Sequence, residues 1–278
     1  MRRFGASSVI LGLLIASIAV NAAYLSISAP TTATLYNNGS VYLGKVAPGE
    51  SFYVSASAAT TGNNGASINI GWDTLTSVNL PQGWSAQPSQ LYANPMRMKV
   101  RVSPYAPSGT YRLLLRAVNL QNYSGIGNLT FAAYVNVTSD VLNLDVTPTN
   151  ISAGLGEPVN IYVSINNTGI SDDPFYIAAY GLPAWNESER VISLHGTKNT
   201  FVYPVMVNEP ALYTFNLTVN STTSQLLRKT YTIRMLAKAG LINDYTAFGQ
   251  GALLSPIIYE PAYALMQLLG YIYKSIAH

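Results

Sequence analysis

One spacing constrains this chain more than any other. Gly49-Glu50 opens an alternating stretch, Leu80-Pro81-Gln82-Gly83-Trp84 follows, and Tyr111 comes after it in Pro107-Ser108-Gly109-Thr110-Tyr111. The set then recurs as Gly156-Glu157, Leu182-Pro183-Ala184-Trp185, and Tyr213 in Glu209-Pro210-Ala211-Leu212-Tyr213. Glu returns at an offset of 107, Trp at 101 and Tyr at 102. A unit of about a hundred residues, used twice, agrees with the length prior of about two domains for 278 residues.

Within each unit the period is two. Phe52, Val54, Ala56 and Ala58 alternate with Ser51, Tyr53, Ser55 and Ser57. Met96, Met98, Val100 and Val102 alternate with Arg97, Lys99, Arg101 and Ser103. Similar runs start at Tyr111, Phe131, Val159, Phe201 and Tyr213. Strict alternation marks half-buried strands, and the turn signals Pro48-Gly49, Asn63-Asn64-Gly65 and Pro107-Ser108-Gly109 separate them. Short strands at this spacing predict β-sandwiches over 24–138 and 139–238. Only Thr138-Ser139-Asp140 links them, which predicts an end-to-end meeting with limited bending.

Ala47-Pro48-Gly49-Glu50, Leu80-Pro81-Gln82-Gly83-Trp84 with Pro88 and Leu91, and Ala106-Pro107-Ser108-Gly109-Thr110-Tyr111 carry a resemblance. Over about 46 to 118 the chain resembles the Ig-like modules of bacterial and archaeal surface proteins, of the alpha-galactosidase-associated and cell-adhesion-related types. The resemblance implies a seven-stranded sandwich that spaces, displays or binds and has no chemistry of its own. The second unit matches less well, because Glu209-Pro210-Ala211 replaces the Pro-Ser-Gly turn. The first departs in the stretch Thr60 to Asp73, longer than the family's compact turn. Trp72, in that insert, is the candidate ligand platform, whereas Trp84 and Trp185 recur with the unit and read as core.

The termini differ in character. Arg2-Arg3 and an uncharged apolar run from Val9 to Val20 have the proportions of an export signal, so 1–23 reads as a signal peptide or a retained N-terminal membrane helix. Arg3-Phe4-Gly5-Ala6 also resembles the leader of archaeal pilins, although Phe4 separates the basic residue from the glycine. The segment 239–278 is apolar, and Pro261 suits the first turn of a helix running to about Ile276. Such a helix is apolar nearly all round, but too short to span a membrane unaided. Ile257, Tyr263, Leu265, Leu268, Leu269, Tyr271 and Ile272 are its membrane-associating candidates. Interfacial attachment, a broken spanning anchor and packing on protein are its three readings.

Composition narrows the function. Charged residues are 10% of the chain and the net charge is +3, so no field steers it to nucleic acid. A polar surface that is little ionised suits the outside of a cell, including one in an acidic habitat. With no Cys there is no disulfide framework and no thiol chemistry. Nine Asn-X-Ser/Thr sequons occur, at Asn38, Asn122, Asn128, Asn136, Asn150, Asn166, Asn186, Asn216 and Asn220. Chance predicts roughly four from this composition, and four of the nine fall on outward strand positions. Chemistry is sparse. His195 and the terminal His278 make no zinc site without Cys, and Glu187 and Glu189 are the carboxylates near His195 in sequence. Asp172-Asp173 with that pair is the candidate calcium cluster.

These readings predict a mainly β, non-enzymatic, exported and glycosylated surface protein of archaeal type, without cofactor. Its partners would be the membrane, other envelope proteins and glycans. Its role would be adhesion, envelope structure or scaffolding of a membrane complex. The alternatives are a carbohydrate-binding module acting through 60–73 and a pilin-like filament subunit.

Overall fold

The computed structural model describes residues 23–61, 67–68, 71–120, 126–183 and 187–239. The described residues contain strands and turns and no helix. The expected helices at the two ends lie outside them.

The first unit contains β1 (Ala23–Ala29), β2 (Ala33–Leu35), β3 (Ser40–Val46), β4 (Ser51–Thr61), β5 (Ser67–Ile68), β6 (Thr74–Asn79), β7 (Ser85–Gln87), β8 (Met96–Arg101), β9 (Gly109–Val118) and β10 (Leu129–Val137). The second contains β11 (Leu142–Thr147), β12 (Asn150–Gly154), β13 (Val159–Asn167), β14 (Asp173–Tyr180), β15 (Ser188–Ser193), β16 (Lys198–Val205), β17 (Leu212–Ser221) and β18 (Arg228–Lys238). In the first, the sheet β2-β1-β4-β8-β7, with β5 added on β4, faces β3-β10-β9-β6. In the second, β11-β13-β16 faces β12-β18-β17-β14-β15. In each unit the chain starts antiparallel in one sheet, crosses over, and pairs parallel with the last strand of the other, β3 on β10 and β12 on β18. Four strands facing three, β1-β4-β8-β7 over β10-β9-β6, is the arrangement of an immunoglobulin-like sandwich. The strand count exceeds seven because the entry strand is split between sheets and short pairings such as β5 on β4 are added.

Besides the short added strands β2 and β5, the units differ in where one strand pairs. After Trp84 the chain crosses to the opposite sheet, and β7 pairs with β8. In the second unit the strand after β14, β15, instead pairs antiparallel with β14 itself.

Burial follows the alternation. Met96, Met98 and Val100 are buried while Arg97, Lys99 and Arg101 are exposed. The first core gathers Phe52, Val54, Leu113, Leu115 and Phe131, and the second gathers Ile161, Phe175, Tyr203, Phe215 and Ile233. Each such side chain contributes about 1.5–3 kcal/mol on leaving water.

The recurring Glu and Tyr perform the same local tasks in both units. The Glu50 carboxylate accepts from the Ala47 N–H at 2.7 Å, and that of Glu157 accepts from the Gly154 N–H at 2.8 Å. Each closes the turn into the long strand that follows. The Tyr111 hydroxyl donates to the Pro107 carbonyl at 2.9 Å, and that of Tyr213 donates to the Glu209 carbonyl at 2.9 Å. These are tyrosine corners, which pin the bend before β9 and β17. Tyr111→Phe and Tyr213→Phe are each expected to cost about 0.5–1 kcal/mol. The effects should add in the double variant, since the sites are far apart, and urea midpoints would show it. An unshifted midpoint would mean the corners carry no stability.

The two units meet over a built joint. Ala47, Val141 and Leu227 form a small buried cluster between them. The Ile170 N–H donates to the Lys45 carbonyl at 2.9 Å, and the Ser171 hydroxyl donates to the Ser51 carbonyl at 2.7 Å. The fit is close enough to exclude a side chain at Gly44, where a Cβ would lie 2.5 Å from Ile170 Cγ2. The Lys45–Asp140 pair at the rim is exposed, at 3.5 Å, and contributes little.

Candidate interdomain cleft

The joint leaves a cleft beside it. Its first hollow, about 240 Å³, lies where β4 and β8 of the first unit meet the loops around residues 170–172, 195 and 223 of the second. A second hollow of about 460 Å³ adjoins it over the first unit. Tyr53, Arg97 and Lys99 line both, so they form the ridge between them.

Strand register brings these three together. β4 and β8 pair antiparallel with Tyr53 opposite Lys99 and Ser55 opposite Arg97. All three side chains point outward, away from the core strip Phe52, Val54, Met96, Met98. The Arg97 guanidinium sits 4.7 Å from the Tyr53 ring centroid and the Lys99 ammonium 6.0 Å. Each cation is attracted by the ring's electron-rich face.

The second unit contributes a hydrogen-bonded histidine–aspartate pair, ionic when the imidazole is protonated. His195 Nδ1 lies 2.6 Å from Asp172 Oδ1, and the His195 backbone N–H donates to the same oxygen at 2.9 Å. Partial burial pushes the Asp172 carboxyl up, but the bonds from His195 and the charges of His195 and Arg97 outweigh it. The net shift is downward. Asp172 is thus an anion tethered on the cleft wall. Sequence proximity had pointed to Glu187 and Glu189 as the neighbours of His195; the partner is instead 23 residues away, brought by the β14–β15 pairing. His195 Nε2 has no hydrogen-bond partner among the described residues.

Two buried carboxylates lie behind the cleft. Glu50 is 2% exposed, and its carboxyl is pushed up to about 8, by burial above all, with the charge of Asp173 adding to it against the bond from Ala47. Asp173 is 1% exposed and is also raised by burial, against bonds from Ser221 and Thr223. The candidate calcium cluster does not form: Asp172 is committed to His195, Asp173 is buried against Thr223, and no metal-sized group of such side chains occurs among the described residues.

Trp72 is mostly buried although it lies in the insert. The insert is not a free loop: Thr60 and Thr61 pair with Ile68 and Ser67, so the chain goes out and back as a hairpin. It returns at Gly71-Trp72, where the indole is 5% exposed within the first core and its Nε1–H donates to the Gly127 carbonyl at 2.9 Å. Little of the ring is left to solvent, although Trp72 still lines a small hollow of about 180 Å³ with Gly71, Asp73, Tyr92 and Asn94. Trp84 is buried against Tyr111, with ring centroids 5.4 Å apart, as its recurrence implied. Trp185 lies outside the described residues.

Of the sequons, Asn38, Asn128, Asn150 and Asn216 are exposed and Asn136, Asn166 and Asn220 half-buried. Asn122 and Asn186 lie outside the described residues, as do Ile257, Tyr263, Leu265, Leu268, Leu269, Tyr271 and Ile272. The basic side chains of β8 and β9 belong to opposite sheets, so Arg112 and Arg116 do not join Arg97 and Lys99.

No protein-family model matches the sequence, and no curated protein matches it. Among solved structures the chain is similar to a chimeric titin Z1Z2, with 14% identity and a TM-score of 0.37 over 78% of this chain and 98% of that one. It is similar to the fibronectin(III)-like modules of Clostridium thermocellum CbhA, with 12% identity and a TM-score of 0.26 over 77% and 94%. It is also similar to part of a beta-glucosidase from Listeria innocua, with 15% identity and a TM-score of 0.27 over 36% of this chain and 16% of the enzyme. Likeness at these levels carries no statement about activity or partner; the immunoglobulin-like assignment rests on the strand order and the tyrosine corners of the chain itself.

Proposed function

We propose that this is a non-enzymatic, exported surface protein of archaeal type. Its two immunoglobulin-like units act as one stiff spacer, held at the membrane by the C-terminal segment. It serves adhesion, envelope structure or the scaffolding of a membrane complex. The observation that carries this reading is the joint: a three-residue linker with an apolar cluster and hydrogen bonds across it resists bending, as display away from a surface requires. The sequons whose asparagines reach the surface and the apolar end segments support export and attachment.

Carbonate extraction tests the attachment. The full chain is expected to stay with membranes, and a chain ending at Lys238 to be released. Release of both forms would overturn membrane attachment. Retention of both would move the anchor to the N-terminal segment, and N-terminal sequencing beginning at Ala6 would then favour the filament-subunit alternative.

A further inference from the structure

We propose that the cleft and its ridge form a binding site for an anionic saccharide, a glycan bearing carboxylate or sulfate groups. The inference does not depend on where the protein resides. Charge comes first. In a chain with 10% charged residues, Arg97, Lys99 and Arg101 stand in a row on one face of β8. None has a carboxylate within ion-pair distance among the described residues; the ion pairs there are Lys45–Asp140 and His195–Asp172. Like charges two residues apart on a strand face repel, and the Tyr53 ring between Arg97 and Lys99 offsets that only in part. An anion bound over the ridge neutralises both.

Shape and polarity then choose the class of anion. A hollow lies on each side of the ridge, so an occupant can straddle it with its charged group over Arg97 and Lys99. The smaller hollow offers the Ser51 side chain and the His195 ring, and the larger offers the Gln87, Gln90 and Asn94 amides. Amides and hydroxyls both donate and accept, as the hydroxyls of a sugar do. Asp172 lines the smaller hollow, so the anionic group is expected over Arg97 and Lys99 rather than beside that carboxylate. The planar fork of Arg97 matches a carboxylate or sulfate in two bonds.

The test uses the full chain in mild detergent and titration calorimetry at low salt. Polygalacturonate supplies carboxylates, dextran sulfate supplies sulfates, and dextran is the neutral control. Binding of at least one acidic polymer and not of dextran is expected, and which of the two binds identifies the anionic group. Arg97→Gln and Lys99→Gln should each weaken binding about tenfold, from the worth of a hydrogen bond to a charged group, and the double variant more. Both side chains are exposed, so melting temperatures should hold. Arg112→Gln, on the opposite sheet, should leave affinity unchanged. Failure of both acidic polymers to bind would overturn the proposal. So would an equal loss in Arg112→Gln, which would reveal attraction to net charge, and so would equally tight binding of polyglutamate, which would reveal a site for acidic protein.

Discussion

Glu50→Gln is expected to raise stability at pH 8 by about 3–5 kcal/mol, from the size of the carboxyl's shift, and to change it little at pH 4. The sign follows from proton binding. The carboxyl titrates near 4.5 in the unfolded chain and near 8 in the folded one. Between those values the folded state holds a proton that the unfolded state has released, so stability falls as pH rises. Burial is the main cause: the side chain is 2% exposed, where residues 44–51 lie against Ile170, Ser171 and Thr223, and Asp173 faces it from β14. No base lies within ion-pair distance among the described residues. Gln keeps the oxygen that accepts from Ala47 N–H and cannot ionise. Asp173, also raised by burial, adds a contribution of the same sign. The wild-type melting temperature should therefore decline from pH 4.5 to 8 and the variant's decline less. A flat wild-type profile, or equal slopes, would refute the assignment.

Gly49→Ala is expected to cost about 2–4 kcal/mol, by backbone strain and overpacking together, and to loosen the joint. Gly49 has φ of 87°, in the left-handed region, and a Cβ there would lie 2.6 Å from the Thr223 carbonyl oxygen of the other unit. That oxygen is backbone and cannot swing aside as a side chain would. The clash is relieved when the units part, which exposes Ala47, Val141 and Leu227. Gly196→Ala is the comparison: φ is 66°, but a Cβ there meets nothing within 4 Å, so only strain is felt. Calorimetry should resolve two unfolding transitions in Gly49→Ala, and small-angle scattering a larger radius of gyration. If Gly49→Ala scatters like wild type and loses no more than Gly196→Ala, the two units do not meet over residue 49.

Much of the fold was legible because strand burial has a short local period. The alternations at Phe52, Met96, Ile161 and Phe215 can be read without knowing their partners, since each strand reports which of its faces leaves water. The recurrence of Glu and Tyr was equally legible, although their tasks emerge only from backbone atoms three and four residues away. In the cleft the sequence showed Tyr53 as an outward position on one strand and Arg97 and Lys99 as outward positions on another. Their meeting required the β4–β8 register, a long-range pairing that no local period encodes.

By itself, then, the sequence determined that the chain is built of half-buried strands forming β-sandwich units, a consequence of local periodicity and spacing. Tertiary structure alone decided the rest. It put Trp72 in the core, because a hairpin carries the chain out and returns it there. It gave His195 a partner 23 residues distant, and it buried Glu50 beside a second carboxylate. Burial, ion pairing and the shift of a carboxyl depend on what other parts of the chain occupy the surrounding volume, and that is set by how the sheets and the two units pack.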